Sequence, residues 1–360
     1  EVVLTPSGGL GDVEVGGPVV NLIPRNGSNR FENRFQASGL SGWMQGSNYT
    51  QELKDAGLRT PFKTNYQWDA SLMNSGPVMQ DRFWFFYATR YNGNGTNLPG
   101  IFYNKSAGDI TKWNYDPDFN RPANNSTSGS ITPTLRLTGQ LNRAMQVGVF
   151  VDAGGFRLSD SPQIGIVGAV ALATPETGTV GGSGRSPMFQ YKWTWTVTSK
   201  LLLDASYGSY HQDWNAREVP GNNRDLIRMT EQCTAGCANN GGGIPGLVYR
   251  AQTWSADYME PNRWQAAATY VTGAHSMKVG YQGVFHLEQT YPHGNNQNLE
   301  YRVNNGVPNQ LTQLARPYFT DSRVRYDALY AQDQWTRGKF TVQGAIRYDH
   351  AWSYYPAQQI

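Results

Sequence analysis

Strict alternation of apolar and polar residues is the feature that most constrains this chain. In residues 189–198 every odd position is aromatic or valine, and every even position is polar. A period of two residues indicates a β-strand with one apolar and one polar face, and helical periodicity is almost absent from the chain. Two tryptophans and a tyrosine in one row are unusually bulky for the core of a soluble sandwich. In a membrane barrel the same row faces lipid.

The alternation recurs along the chain and predicts about eleven strands. Short turns are expected at residues 76–81, 142–144, 199–200, 273–275 and 337–338, and long polar loops at roughly residues 45–66, 92–130, 159–186, 215–262 and 291–322. The first loop is expected to contain a short helix that is capped near Thr50 and ended by Gly57. Short connections on one rim and long ones on the other are the layout of outer-membrane barrels. The sequence therefore predicts an all-β fold, a transmembrane antiparallel β-barrel. The strands are expected near residues 31–44, 67–75, 82–91, 131–141, 146–158, 187–198, 201–214, 263–272, 276–290, 323–336 and 339–352.

Composition agrees with this class and excludes others. The mean hydropathy of −0.56 and the lack of any run of about 18 apolar residues exclude a transmembrane helix. A spanning strand needs only about 10 alternating residues, so it leaves hydropathy low. A net charge of +3 without a basic run gives no reason to expect nucleic acid as a partner.

The strand count bears on whether the barrel is complete. An odd number of strands does not close a bacterial single-chain barrel, and lipid does not tolerate the unpaired backbone groups of an open edge. The sequence also begins at Glu1 without an initiator methionine or a signal peptide. We therefore expect about half of a barrel, as a fragment of a longer protein.

Three motifs stand in a fixed order along the chain. Residues 16–31 read Gly-Gly-Pro-Val-Val-Asn-Leu-Ile-Pro-Arg-Asn-Gly-Ser-Asn-Arg-Phe, a short apolar run stopped by a proline and a turn. Gly-Pro at 76–77 precedes Asp-Arg-Phe-Trp-Phe-Phe at 81–86, and Tyr-Ala-Gln-Asp-Gln-Trp at 330–335 precedes Gly-Ala-Ile-Arg-Tyr-Asp at 344–349. Together they resemble TonB-dependent outer-membrane receptors, specifically the Oar-like branch, in which a carboxypeptidase-regulatory-like domain precedes plug and barrel.

The resemblance implies a 22-stranded barrel with a plugged lumen in the bacterial outer membrane. Residues 1–30 would then be the C-terminal end of the plug domain, and residues 31–360 the N-terminal half of the barrel. Outer-membrane lipid would surround the wall. A TonB complex would be the energising partner, through an N-terminal segment that this sequence lacks together with most of the plug. The plug-end motif comprises Gly16, Gly17, Asn21, Pro24, Arg25 and Gly27.

Side chains on the polar faces are candidates for a hydrated lumen wall. His286 and Glu288, with Lys278 on the same face, are candidates for ligand contact, and a solvated wall that pairs with the plug is the alternative. Trp84 and Phe86 are expected to point inward, and Arg25 is a candidate partner for a wall carboxylate. The candidate lumen-facing residues are Arg136, Asp152, Lys192, Asp204, Lys278, His286, Glu288, Arg347 and Asp349.

Catalytic chemistry finds no support in the sequence. The five histidines show no metal-pair spacing, and no motif indicates an enzyme, so we expect no catalytic residue, metal or cofactor. Cys233 and Cys237 fall short of a four-ligand zinc site. A loop disulfide between them is the first interpretation, and unpaired thiols are the second.

Three functions remain open at this stage. The first is ligand capture by extracellular loops and energy-coupled uptake of an unknown small ligand, glycan or peptide through a plugged barrel. The second is an outer-membrane surface protein for adhesion or export-linked assembly, without active uptake. The third is a soluble β-rich carbohydrate-binding protein that uses its 11 tryptophans and 21 tyrosines.

Overall fold

The computed structural model describes residues 2–5, 10–14, 18–154, 173–178, 180–181, 186–218, 221–234 and 244–357. These residues contain one short helix, α1 (Gln51–Asp55), and two 3-10 turns, Gly42–Met44 and Pro175–Thr177. None of the helices among them has the length and apolar character needed to cross a membrane. The strands are β1 (Val2–Thr5), β2 (Val19–Leu22), β3 (Glu32–Ser41), β4 (Lys63–Met79), β5 (Phe83–Asn104), β6 (Pro117–Asn142), β7 (Met145–Asp152), β8 (Val180–Gly181), β9 (Met188–Thr196), β10 (Leu201–Tyr210), β11 (Gln212–Arg217), β12 (Arg228–Glu231), β13 (Val248–Tyr249), β14 (Trp254–Thr272), β15 (His275–His293), β16 (Leu299–Asn304), β17 (Val307–Gln313), β18 (Thr320–Arg337) and β19 (Phe340–Tyr354).

One large antiparallel sheet dominates the fold. Among the described residues its hydrogen-bonded path runs through eleven strands, in the order β3-β4-β5-β6-β7-β9-β10-β14-β15-β18-β19. Each of the eleven predicted strands corresponds to one strand of this path. Neighbours along the path follow one another along the chain apart from short strands in the long connections. The predicted all-β, meandering antiparallel architecture is confirmed.

The register of the sheet gives it two chemically different faces. Lys192, Ser206, Gln265 and Gln282 lie directly opposite one another on successive strands and form one polar row. Residues directly opposite in an antiparallel pair share a face, and alternate residues along a strand share it too. The face that carries this row is called the polar face below. The other face carries exposed large side chains such as Phe35, Tyr191, Val279, Leu329 and Ile346, and is called the apolar face.

The connections differ in length between the two rims of the sheet. On one rim the joins are short, at residues 80–82, 143–144, 197–200, 273–274 and 338–339. Gly273 and Gly338 have φ values of +55° and +62°, a left-handed conformation that glycine adopts without steric cost. The predicted asymmetry of the rims is confirmed. Gly76 and Pro77, which were expected in the first short turn, lie instead within β4, which bulges between Pro77 and Met79.

Several strands extend beyond their predicted ends into segments expected to be loops. β5 is 22 residues long and ends at Asn104, and β6 is 26 residues long and begins at Pro117. β14 begins at Trp254, whereas the alternation predicts a start at residue 263. The extensions of β5 and β6 are rich in Asn and Gly and lack the apolar alternation from which strands were predicted. Of the predicted strand 146–158, β7 ends at Asp152 and residues 155–158 lie outside the described residues.

The long connections form a packed unit, which we call the cap. β12, β13, β16 and β17 form its four-stranded sheet, in the order β13-β12-β16-β17. The segment 105–116 covers this sheet, and the buried core between them contains Tyr115, Met229, Leu247, Tyr249 and Val303. A hydrophobic core in the long connections was not predicted. The predicted helix is present, with Thr50 accepting a capping hydrogen bond from Leu53 N–H and Gly57 following at a φ of +95°.

Candidate functional site

The residues before β3 cross the polar face of the large sheet. We call residues 10–14 and 18–29 the N-terminal segment. Its middle part is β2, which pairs in antiparallel register with β1. The segment contacts the sheet at two places that are far apart along the strand order. One contact lies at β15, β18 and β19, and the other lies at β5 and β6.

Asp12 is the centre of the first contact. Its carboxylate forms an ion pair with Lys278 at 2.9 Å, and both side chains are about two-thirds buried. Its backbone N–H donates to Gln332 Oε1 at 3.3 Å, and its carbonyl accepts from Gln282 Nε2 at 3.0 Å. Asp12 thus binds neighbouring strands of the sheet through its side chain, its backbone N–H and its carbonyl oxygen.

Gly11 fits closely against the same strands. Its carbonyl oxygen accepts from Arg347 Nη1 at 2.7 Å. A Cβ at this position would lie 3.2 Å from the Cβ atoms of Tyr330 and Ala345, which is tighter than ordinary contact. Arg347 is fixed in turn by Asp349 at 2.8 Å and by Gln282 Oε1 at 2.9 Å. The segment therefore packs closely against the wall at this position.

The second contact begins at the turn that follows Pro24. The carbonyl oxygen of Pro24 accepts from Arg136 Nη1 at 3.1 Å, and Asn26 Oδ1 accepts from the Thr138 hydroxyl at 3.3 Å. Arg136 and Thr138 alternate on the polar face of β6, so the turn lies on that face. Proline cannot continue a ladder because it has no N–H, which explains why the chain leaves β2 here.

Gly27 and Asn29 seat the end of the segment on β5. A Cβ at Gly27 would lie 2.3 Å from the carbonyl oxygen of Phe85, so only glycine fits this approach. Asn29 Oδ1 accepts from Trp84 Nε1 at 2.7 Å and from Asp81 N–H at 3.0 Å. Trp84 and Phe86 lie on the polar face, opposite Thr138 and Arg136. Their predicted inward position agrees with this register.

Arg25 pairs with Glu32, the first residue of β3, at 2.6 Å. Both side chains are about half exposed, so the pair contributes on the order of 0.5 kcal/mol. Of the other residues of the predicted plug-end motif, Asn21 lies in β2 opposite Val3. Gly16 and Gly17 lie outside the described residues.

Between the segment and the polar face lies a cleft of about 680 Å³. Asp12, Glu14 and Val20 line it on the side of the segment. On the side of the sheet it is lined by the polar side chains of Gln190, Lys192, Ser206, Arg263, Gln265 and Gln282. Tyr191, Tyr207, Trp264 and Val284 also line that side, so the cleft combines polar and apolar residues and has room for a small solute.

The nine candidate residues of the lumen wall share the polar face by register, but only some of them meet. Arg136, Lys278 and Arg347 bind the N-terminal segment, and Lys192 lines the cleft. Asp204 lies on the polar face of β10, opposite Ala267 of β14.

The remaining candidates have local partners. His286 Nε2 lies 3.8 Å from Glu288 Oε2, and Asp349 pairs with Arg347. Asp152 Oδ1 accepts a hydrogen bond from Gly154 N–H at 2.8 Å. Among the described residues, His286 and Glu288 do not contact the segment or line the cleft. Asp12 and Arg263 were not among the candidates. Asp12 lies outside every predicted strand and carries no signal of its face, whereas Arg263 is the first residue of the predicted strand 263–272.

Arg250 holds the cap together. Its guanidinium donates to the carbonyl oxygens of Ile110 and Lys112 at 2.9 Å each and of Ile227 at 3.3 Å. It also lies over the ring of Trp113, 3.7 Å from the centroid. Burial lowers the pKa of Arg250 from its usual value. A single buried cation thus joins segment 105–116 to the strand that begins at residue 228.

Glu176 approaches Arg250 from the 3-10 turn Pro175–Thr177. Its Oε1 accepts from Asn104 Nδ2 at 2.9 Å and from Arg250 N–H at 3.4 Å, whereas its Oε2 is buried without a hydrogen-bond partner. Burial raises the pKa of the Glu176 carboxyl. Burial also raises the pKa values of Tyr115 and Tyr249 in the cap core to about 12.

The cap also contains a pocket, a buried carboxylate and a disulfide-bonded cysteine. A pocket of about 400 Å³ lies at the edge of the core, lined by Trp113, Tyr301 and Pro308. Glu231, fully buried, accepts from three backbone N–H groups, those of Cys233, Asn305 and Gly306. Cys233 is disulfide-bonded, and Cys237, its predicted partner, lies outside the described residues.

Comparison with known proteins identifies one similar structure. No protein-family model and no curated protein matches the chain. The chain is similar to the outer membrane transporter YddB from Escherichia coli, with a TM-score of 0.64 over 97% of this chain and 14% identity. It spans 43% of the length of that transporter. The likeness shows the fold, which is that of part of an outer-membrane transporter barrel.

The fold and the apolar face together locate the chain. Large apolar side chains stand exposed along one face, with Phe35 71%, Leu329 59% and Ile346 75% accessible. Such a face is stable against lipid and unstable against water. The chain lies in the bacterial outer membrane, the location that the resemblance implies.

Proposed function

We propose that the chain belongs to a TonB-dependent outer-membrane transporter that captures a ligand on its outer side and takes it up through a plugged barrel. The observation that carries the proposal is the N-terminal segment, which crosses the polar face and is held there at both ends. An apolar, lipid-facing wall is common to membrane barrel proteins and does not by itself indicate transport. A segment of the same chain seated inside the wall gives a means of closing and opening a path.

In this proposal residues 1–30 are the end of a plug domain and residues 31–360 are part of the barrel wall. The plug would be pulled by a TonB complex acting on a segment N-terminal to this sequence. The order of the three sequence motifs supports the Oar-like branch. Similarity in fold to an outer-membrane transporter supports transport at the coarser level.

The test uses the intact gene product, purified from outer membranes in detergent. We expect it to co-elute with the purified periplasmic domain of TonB. In cells, a deletion strain and its parent are compared for depletion of compounds from a mixed peptide and glycan medium, with and without a protonophore. The expected result is depletion by the parent alone, abolished by the protonophore. Absence of both TonB binding and protonophore-sensitive depletion would contradict the proposal.

The cap favours a second candidate, a surface role in adhesion or export-linked assembly. Ile110, Trp113, Val307 and Leu311 belong to the cap and are 47–66% exposed, although no lipid would cover them there. Exposed apolar side chains on a water-facing unit are typical of contact surfaces. Deletion of residues 105–116 tests this role. Normal adhesion and surface assembly in a strain with that deletion would exclude it.

The apolar face disfavours the soluble carbohydrate binder. Its exposed rows run along the whole path of strands, far beyond the few hundred Å² that soluble monomers expose. A protein that stays monodisperse without detergent would restore that alternative.

A further inference from the structure

Two polar rows of the sheet form the wall of the cleft. One row consists of Lys192, Ser206, Gln265 and Gln282, directly opposite one another on β9, β10, β14 and β15. In the adjacent row, Gln190, Gly208 and Arg263 lie opposite one another on the first three of these strands. The two β10 residues between the cations, Ser206 and Gly208, are small, so they leave open space between longer side chains.

Lys192 and Arg263 differ from Lys278 and Arg347, two other cations of the polar face. Lys278 is paired with Asp12, and Arg347 is paired with Asp349. Among the residues that the structure describes, no carboxylate lies within ion-pair distance of Lys192 or Arg263. Since Lys278 neutralises Asp12, Glu14 is the one carboxylate lining the cleft without an ion pair in that part of the chain. The cleft therefore contains two cations, Lys192 and Arg263, that have no ion-pair partner among the described residues.

The spacing of the two cations suits a small bridging ligand. Strands lie about 4.8 Å apart, and residues i and i+2 lie about 6.7 Å apart, so the two Cα atoms are separated by about 12 Å. Lysine and arginine side chains each reach about half of that distance, so both can contact one ligand of a few ångströms between them. The amide of Gln265, which also lines the cleft, adds a neutral donor near that position.

We propose that this cleft binds a small anion, held through its carboxylate or phosphate oxygens by Lys192 and Arg263. The inference deepens the proposed transport function and rests on it. Charge-assisted hydrogen bonds to oxyanions are shorter and stronger than neutral ones. An anion that passes through the lumen would meet these two cations where the N-terminal segment narrows the path.

Isothermal titration tests the site on the detergent-purified full chain at 0.15 M salt. The probes are citrate for carboxylate chemistry, pyrophosphate for phosphate chemistry and maltotriose as a neutral solute. We expect citrate or pyrophosphate to bind and maltotriose not to bind, with an affinity that falls at 0.5 M salt because the charges are screened. Binding of citrate would identify a carboxylate ligand, and binding of pyrophosphate would identify a phosphate ligand.

Variants assign the binding to the two cations. The Lys192→Gln/Arg263→Gln double variant is expected to weaken binding at least tenfold. The Lys192→Arg/Arg263→Lys variant, which keeps both charges, is expected to bind within about threefold of the parent. Arg34→Gln is the matched control, because Arg34 lies on the polar face of β3, opposite Met73, and does not line the cleft. Single variants replace the double variant if it fails to fold.

The outcomes separate this inference from the proposed function. Equal affinity of the parent and the glutamine variants, binding of neither anion, or equal binding of maltotriose would overturn the anion site. If that happens while protonophore-sensitive uptake persists, only the site is wrong. If the anion binds and the glutamine variants lose it, while TonB binding and uptake are absent, the site stands and the transport function is wrong.

Discussion

Replacing Gly27 with alanine places a Cβ 2.3 Å from the Phe85 carbonyl oxygen and 2.9 Å from its backbone nitrogen. Ordinary contact begins about 1 Å farther away, and the opposing atoms belong to the backbone of a long strand, which cannot yield cheaply. Gly27 has no left-handed φ, so the change adds a steric clash without backbone strain. The N-terminal segment must therefore lift from β5.

The cost can be worked from this geometry. Forcing extra atoms into a packed contact costs about 1–3 kcal/mol. Lifting the segment also weakens the bonds of Arg136 to Pro24 and of Thr138 to Asn26, although water replaces part of each. A net loss of about 2 kcal/mol multiplies the population of the released segment by about 30.

Limited proteolysis measures that population. Trypsin cleaves after Arg25 and Arg30, which lie on either side of Gly27. When opening is fast relative to cleavage, the cleavage rate follows the equilibrium population of the open form. We expect Gly27→Ala to raise the rate at these two sites about 30-fold, while cleavage in the cap stays unchanged.

Gly344→Ala is the matched control, because a Cβ there meets nothing within 4 Å. It is expected to leave the cleavage rate within about twofold of the parent. If Gly27→Ala is cleaved at the parent rate at both arginines, the segment is not seated on β5, and the argument from its close approach fails.

Three further predictions concern the first contact and the cap. The Asp12→Asn and Lys278→Gln changes should be coupled by about 1 kcal/mol in a double-mutant cycle read by cleavage after Glu14 with a glutamate-specific protease, and additive losses would show that the ion pair contributes nothing. Arg250→Met leaves three carbonyl oxygens without their hydrogen-bond donor, so it should destabilise the cap by about 3 kcal/mol. Hydrogen exchange in residues 105–116 should become faster, and unchanged exchange would contradict the role of Arg250. Burial raises the pKa of Glu176, so the folded cap binds this proton more tightly than the unfolded chain, and stability is lost as pH rises from the ordinary carboxyl pKa through the raised one. Glu176→Gln should therefore raise the melting temperature at pH values above that range and make the melting temperature less dependent on pH. A melting temperature of the parent that rises with pH across the same range would contradict the predicted direction.

The alternation was sufficient to predict the eleven strands and the two faces of the sheet. In a wall between lipid and water, each residue of a strand faces one solvent or the other, so its polarity follows its position. Residues 189–196 show this, because their apolar and polar positions lie on opposite faces in the structure. The short turns were predictable for a related reason, since glycine marks the left-handed positions at residues 273 and 338.

Beyond the apolar face the same signal fails. In the cap, Tyr115, Met229, Leu247 and Val303 form a core from segments far apart in the chain, and none of these segments has a periodic pattern. Glu231 and Arg250 are buried there because backbone N–H and C=O groups of other loops solvate them. No local pattern encodes such partners.

The candidate site divides in the same way. The sequence by itself determined that Lys192, Lys278 and Arg347 lie on a polar face, since each alternates with apolar neighbours along its strand. Only the tertiary structure decided that Lys278 and Arg347 bind the N-terminal segment, while Lys192 and Arg263 stay without ion pairs beside the cleft. The physical reason is that facing depends on the local period of a strand, whereas partnership depends on strand register and on the path of a segment more than 250 residues away in the chain.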